Sequence, residues 1–349
     1  MTIPNDILEM IGGKRRYTGM DSYINFGYNP IGDRSKAEEE AVAKFMMSPH
    51  IQEFDPSEDI QEIQGDEVKL WRYERQANGG RLQPRSYQLT GSCVNSGAQN
   101  ASSGQIAIEK LMCSRPESIF MPFTLLAYGQ SRAALGDNSP GEGSSGAQMA
   151  MEMAEIGLAD TALPGLPKPT ILDVDGSQYK DQVIVYSKQV ELQFSAARNH
   201  KPEWLADAAK SKLKYTRIRS ADEAIVELRR GRHITWAGDW GGKMQMDYSG
   251  TPRVLFCPRR YDTWGHQESS SGYWRHPDLG EIFNICNNWF QQTSSGLCIP
   301  VHGMSADDSP SGSYWIPKKE FDYQCRTGEV CSVYSVDGRI RTMDWFVGV

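Results

Sequence analysis

Three separated stretches carry residues whose types and order could do nucleophilic chemistry. In QLTGSCVNSG, Cys93 opens a run, CVNSGAQNASSGQIAIEKLM, whose small residues come early and apolar residues late, as in a helix with a tightly packed first half. A thiol at a helix N-terminus feels the positive end of the macrodipole, which favours the thiolate, the nucleophilic form. An isolated Gly-Ser-Cys is more often structural, with a small apolar residue simply starting a helix. The downstream stretches WGHQESSSGYW and EIFNICNNWF shift that balance, because they supply His266, Asn287 and Trp289 in order. A thiolate nucleophile needs a general base beside it and an amide or carboxylate that holds the imidazole in one tautomer. His266 and Asn287 are suited to those roles from neighbouring strands, with Trp289 shielding their hydrogen bond. Such chemistry proceeds through an acyl-enzyme at Cys93 and calls for no cofactor.

The elements that must position these residues are legible in outline. After VKLWRYERQ, a strand or short helix, and the turn at Asn78, Gly79 and Gly80, three helical stretches follow: the one opened by Cys93, then FMPFTLLAYGQSRAAL and AQMAMEMAEIG. Farther on, Ser220 and Glu223 form a capping box ahead of ADEAIVELRR, with Gly231 as the stop. Short stretches rich in β-branched and aromatic residues come next: HITWAGDW, RVLFCPRRY, the segment around GYW, EIFNICNNWF, SYWIP and EVCSVYSV. Helices first and strands second predict an α+β architecture, with a helical lobe over residues 66–215 and a β-rich lobe over 216–349. Residues 1–65 lack a continuous core pattern. They hold a basic cluster at Lys14, Arg15 and Arg16, a capping box of Ser35 and Glu38, and the acidic stretch EFDPSEDIQEIQGDE, which reads as a linker or a segment draped over a partner.

Composition limits the function classes. The chain of 349 residues carries a net charge of -7, 39% hydrophobic and 23% charged residues, an ordinary globular balance. Residues 1–70 hold 14 acidic against 7 basic side chains, and the other 279 balance at 30 of each. A neutral body with an acidic arm argues against a nucleic-acid partner, which needs clustered Lys and Arg. No stretch approaches the ~20 apolar residues of a membrane span, and the N-terminus lacks a secretory signal pattern. Seven cysteines at scattered spacings, without a CxxC pair or histidines at ligand spacing, read as reduced thiols rather than a metal site. These features fit a cytoplasmic protein; a virion location enters only with the resemblance below. GEGSSG at 141–146 matches a dinucleotide-loop pattern, but it follows no strand and lies in no βαβ unit. DVDG at 173–176 lacks the rest of a calcium loop.

In motif order, the sequence resembles the papain-like cysteine peptidases over about residues 68–340. Gly-Ser-Cys at 91–93 resembles the nucleophile motif, Gly265-His266 the base, and Asn287-Asn288-Trp289 the family's Asn-Ser-Trp. The segment YGQSRAALGDNSPGEGSSGAQMAMEMAEIGL resembles the path from a tyrosine-containing helix through a Gly-rich substrate loop, and the closing strands resemble divergent bacteriophage and bacterial members. The resemblance implies a helical lobe and a β-barrel lobe with the site in the cleft between them. It also implies Gln88 as oxyanion donor together with the Cys93 N–H. Gly143 and Ser144 would lie in a loop open to a substrate backbone, or in a plain flexible turn. The sequence departs from the family where Gln88 precedes the cysteine by five residues rather than six, where Gln267 and Glu268 follow the histidine, and where Asn288 and Phe290 replace Ser and Gly. A carboxylate at Glu268 is placed to alter the imidazole's protonation. The expected partner is a peptide or protein substrate, with the arm of residues 1–65 as a docking segment for a virion or other protein subunit, a propeptide-like element, or an embellishment. The alternatives are an inactive papain-like module, such as a virion component, and a peptidoglycan amidase or endopeptidase, which Asn-x-Trp disfavours.

Overall fold

The computed structural model describes residues 40, 43–45, 47–49, 51–58, 60, 62–112, 119–241, 263–300, 308–327 and 329–335. The Lys14, Arg15 and Arg16 cluster, the Ser35 and Glu38 capping box, the RVLFCPRRY stretch, and Cys113 and Cys257 lie outside the described residues.

Among the described residues, the first named strands and helices are β1 (Ile51–Glu53), β2 (Glu67–Lys69), α1 (Leu70–Ala77), β3 (Arg85–Ser86) and α2 (Cys93–Met112). VKLWRYERQ thus contains both a strand and a helix. Next come β4 (Pro122–Phe123), α3 (Leu125–Ala134), α4 (Gly146–Glu155), β5 (Ala159–Asp160), β6 (Thr170–Asp173), β7 (Gln182–Val185), α5 (Lys188–Phe194) and α6 (Pro202–Ala208). The remainder holds β8 (Leu213–Arg217), α7 (Ala221–Arg229), β9 (His233–Gly241), β10 (Thr263–His276), β11 (Gly280–Cys286), β12 (Phe290–Gln292), β13 (Cys298–Pro300), β14 (Ser313–Pro317), α8 (Lys318–Thr327) and β15 (Glu329–Ser335).

The main sheet runs β1-β8-β15-β9-β10-β11-β14, with β2 paired to β10. The β-barrel implied by the resemblance is not seen as such: among the described residues this eight-stranded sheet is an open path of seven strands with β2 off it, and there is no pairing between β1 and β14. The long strand β10 organises it, pairing with β9 over Thr263–Ser270, with β2 over Gly272–Trp274 and with β11 from Ser269 to His276. β1 joins in parallel to β8, so part of the acidic arm is built into the sheet rather than lying free of it.

Alternation along β9 separates two cores. Ala237 belongs with Val94, Met149, Tyr128, Tyr215 and Val333, whereas Ile234 and Trp236 belong with Leu228, Phe283, Trp289 and Phe321. Helix α2 is rich in Ser, Gly and Asn, all indifferent helix formers, so its twenty residues depend on tertiary packing. Several of its buried polar groups tie it to its surroundings: Asn100 Oδ1 accepts the Ser86 N–H at 2.7 Å, Gln99 Nε2 donates to the Pro122 carbonyl at 2.6 Å, and Gln105 Oε1 accepts the His233 N–H at 2.8 Å. Two glycines let the helix approach the sheet. A Cβ at Gly97 would stand 2.8 Å from Gln267 Cγ, and one at Gly104 2.5 Å from His233 Nε2. The small early residues of α2 therefore bring its N-terminus against β10, the strand that carries His266.

Ser220 caps α7 as expected, while the returning Glu223 carboxylate takes the N–H one residue before the cap. Ser220 Oγ accepts the Glu223 N–H at 3.2 Å, and Glu223 accepts the Arg219 N–H at 2.6 Å. Gly231, at φ 76°, ends the helix, with the Arg232 N–H donating back to the Glu227 carbonyl at 3.0 Å.

Candidate active site

Cys93 is the first residue of α2 and is fully buried. The N–H of Gln267 on β10 is directed at its sulfur, as are the N–H groups of Val94 and Cys93 itself, and all three favour the thiolate. Burial outweighs them and pushes the thiol far up, and the Glu268 carboxyl pushes in the same direction. The thiol thus lies beside the residue that follows His266, held there by the close approach at Gly97.

His266 and Asn287 come from adjacent strands, β10 and the end of β11. His266 Nε2 and Asn287 Oδ1 are 3.3 Å apart, and Oδ1 also accepts the Asn288 N–H at 2.7 Å, which fixes the amide's orientation. An amide oxygen facing Nε2 selects the tautomer with its proton on that nitrogen and leaves Nδ1 as the basic position. Trp289 stacks on the imidazole with ring centroids 4.4 Å apart and planes 25° apart. Asn288 Nδ2 donates to the Gln267 carbonyl at 3.2 Å, so the residue that replaces the family's serine ties the Asn-Asn-Trp segment to β10.

Gln88 is half-buried, and its N–H donates to the Asn288 carbonyl at 3.0 Å. This bond joins the stretch before Cys93 to the segment after Asn287. In the Gly-rich loop, the Gly143 N–H donates to the Gly91 carbonyl at 3.0 Å, and Gly143 has φ 86°, a conformation a glycine adopts without strain. Ser144 Oγ lies 2.7 Å from Ser131 Oγ and is buried, so its hydroxyl is committed inward. The GEGSSG loop is therefore anchored directly to the loop before Cys93.

Two residues of this neighbourhood carry no sequence signal. Glu191 on α5 accepts hydrogen bonds from the Thr90 hydroxyl, from the Ser92 hydroxyl at 3.1 Å and from the backbone N–H groups of Leu89 and Thr90. It thereby holds the loop immediately before Cys93, and burial pushes its carboxyl up to about 7. Tyr314 on β14 donates its hydroxyl to Glu268 Oε2 at 2.7 Å, and burial pushes the Glu268 carboxyl up to about 8. Glu191 lies in KQVELQF, an unremarkable amphipathic stretch, and Tyr314 reads as an ordinary strand aromatic.

Cys93, Cys286, Cys298, Cys325 and Cys331 are free thiols. Among the described residues, no group of three or more His, Cys, Asp or Glu side chains could hold a metal ion, and no helix is long and apolar enough to cross a membrane.

No known family model matches the sequence, and no curated protein matches it. Solved structures do resemble it. Xylellain, a cysteine protease from Xylella fastidiosa, aligns with a TM-score of 0.52 at 16% identity, over 89% of this chain and 96% of its own. Procathepsin L 3 from the larval midgut of Tenebrio molitor aligns at 0.46 and 13% identity, over 95% and 88% of the two chains. Bromelain from Ananas comosus aligns at 0.42 and 10% identity, over 78% and 99%. What the xylellain likeness establishes is the architecture: the chain has the mixed helix-and-sheet fold of the papain-like cysteine proteases.

Proposed function

We propose that the protein is a papain-like cysteine endopeptidase, with Cys93 as nucleophile, His266 as general base and then acid, and Asn287 as the group that orients the imidazole. The observation that carries this reading is the His266–Asn287 contact at 3.3 Å under the Trp289 ring, on the strand whose next N–H points at the Cys93 sulfur. The Cys93 proton passes to the imidazole as sulfur attacks the scissile carbonyl, and the imidazolium then returns it to the leaving amine. Water activated by the same imidazole next attacks the thioester and releases the acid. The oxyanion is received by the Cys93 N–H and the Gln88 side-chain amide, and the substrate backbone runs along Gly143 and Ser144. The helical lobe of residues 66–215 and the β-rich lobe of 216–349 form the two walls of the site.

A second reading, a module that keeps the fold without turnover, is favoured by one observation. Cys93, His266 and Asn287 are each at most 1% exposed, so a substrate reaches the sulfur only after local opening. Acid-quenched incubation with an activated peptidyl ester separates the two. Endopeptidase chemistry adds the acyl mass to the Cys93 peptide, in amounts that fall when His266 is replaced by alanine. An intact ester and an unmodified Cys93 peptide support the inactive module.

A further inference from the structure

His266 and Glu268 stand two residues apart on β10, where strand alternation puts both side chains on one face. Both are fully buried, and Glu268 Oε1 lies 3.8 Å from His266 Nε2. Oε2 accepts the Tyr314 hydroxyl at 2.7 Å, which fixes the rotation of the carboxyl and leaves Oε1 turned toward the imidazole. Among the described residues Oε1 accepts no hydrogen bond, and its one ion-pair contact is His266. The titratable groups facing this carboxyl are His266 from its own strand, Tyr314 from β14, Cys93 from α2 and Cys286 from β11. The same imidazole nitrogen therefore faces a neutral amide oxygen from Asn287 and an ionisable carboxyl from Glu268.

We propose that Glu268, held by Tyr314, is a positioning residue that sets the charge balance of the Cys93–His266 pair and moves its working range to higher pH. This rests on the reading of Cys93 as nucleophile and His266 as base. With Glu268 ionised, the carboxylate stabilises the imidazolium and opposes a second negative charge on sulfur. Protons then sit on Sγ and on the imidazole, and the thiolate–imidazolium pair appears only when the thiol proton is lost to solvent. With Glu268 protonated or replaced by glutamine, the same pair forms by transfer of the Sγ proton to a neutral imidazole. The carboxylate also delays loss of the imidazolium proton, so the rising and falling limbs of the pH profile move together. A charge at this range shifts a neighbouring titration by about one to three pH units.

The test is the rate of Cys93 alkylation by iodoacetamide, followed on the Cys93 peptide across the pH range in which carboxyls, imidazoles and thiols titrate. The full chain is compared with Glu268→Gln, Tyr314→Phe and His266→Ala. Glu268→Gln is expected to move both limbs to lower pH by about one to three units. Tyr314→Phe removes a donor that favours the ionised carboxyl and is expected to move both limbs the same way by less. Limbs that stay in place in Glu268→Gln, with only the amplitude reduced, overturn the proposal and leave Glu268 a packing role. If Glu268→Gln fails to fold, Tyr314→Phe decides by the same criterion. Loss of any His266-dependent advantage in the unmodified chain overturns the nucleophile reading and this proposal with it, a result distinct from unmoved limbs.

Discussion

Asn287 offers the sharpest test at the residue scale. Its amide oxygen meets the imidazole at 3.3 Å and is itself held by the Asn288 N–H. Asn287→Ala removes a hydrogen bond to the imidazole that becomes charged in the proposed mechanism, worth about 1.5–3 kcal/mol, so Cys93 alkylation should slow by roughly ten- to hundredfold. An unchanged rate would show that the amide does not orient the base. The residues of this cluster were legible because their signals are local: a cysteine opening a helix of small residues, a histidine in a strand, and Asn-x-Trp after the next strand. Glu191 and Tyr314 were not legible. They reach the site from elements 101 and 46 positions away in sequence from the Thr90 and Glu268 they contact, and nothing in their own neighbourhoods marks them.

The elements contribute the approach and the anchoring. A Cβ at Gly97 would stand 2.8 Å from Gln267 Cγ and 3.0 Å from Gln267 backbone atoms, so Gly97→Ala forces α2 and β10 apart. Overpacking of this kind costs about 1–3 kcal/mol, and a lowered urea midpoint accompanied by a slower Cys93 reaction is the expected result. Glu191 links the loop before Cys93 to pH. Burial raises its folded carboxyl to about 7 from an ordinary value of 4.5, so its stabilising contribution is complete below pH 4.5 and is lost as pH rises through about 7. Urea unfolding should therefore show the unmodified chain losing stability relative to Glu191→Gln between these values, by on the order of 3 kcal/mol in total. A difference that does not vary with pH would contradict this assignment. The strands and helices around the site were legible from β-branched content, capping residues and glycine stops. The pairing of β2 with the second half of β10 was not, because a three-residue strand that runs straight into a helix has no periodicity of its own.

At the scale of the whole molecule, the acidic arm is partly integral to the fold. Beyond the parallel β1–β8 pairing, Glu58 accepts Arg232 Nη2 at 2.8 Å, and the Ile63 N–H donates to the Arg229 carbonyl at 2.7 Å. Buried Glu227 binds Arg230 at 2.8 Å and Arg232 at 2.9 Å, so one carboxylate organises both guanidiniums that receive the arm. Glu227→Ala leaves those buried cations undercompensated and should cost about 3–5 kcal/mol in urea unfolding, with faster proteolysis within residues 51–63. Equal stability and equal cleavage would show that the cluster does not secure the arm. From its sequence this region reads as a linker or draped segment, because its apolar residues are sparse. Its attachment runs instead through charges and a three-residue strand, whose partners lie more than 150 positions away. The central claim is that Cys93 and His266 form a working pair. Its most direct test is the alkylation rate of Cys93 against those of Cys286, Cys298, Cys325 and Cys331 in the native chain and in His266→Ala, read peptide by peptide. A large rate advantage for Cys93 that disappears with His266 is the predicted result, and a Cys93 no more reactive than the other buried thiols, or equally reactive without His266, would contradict it.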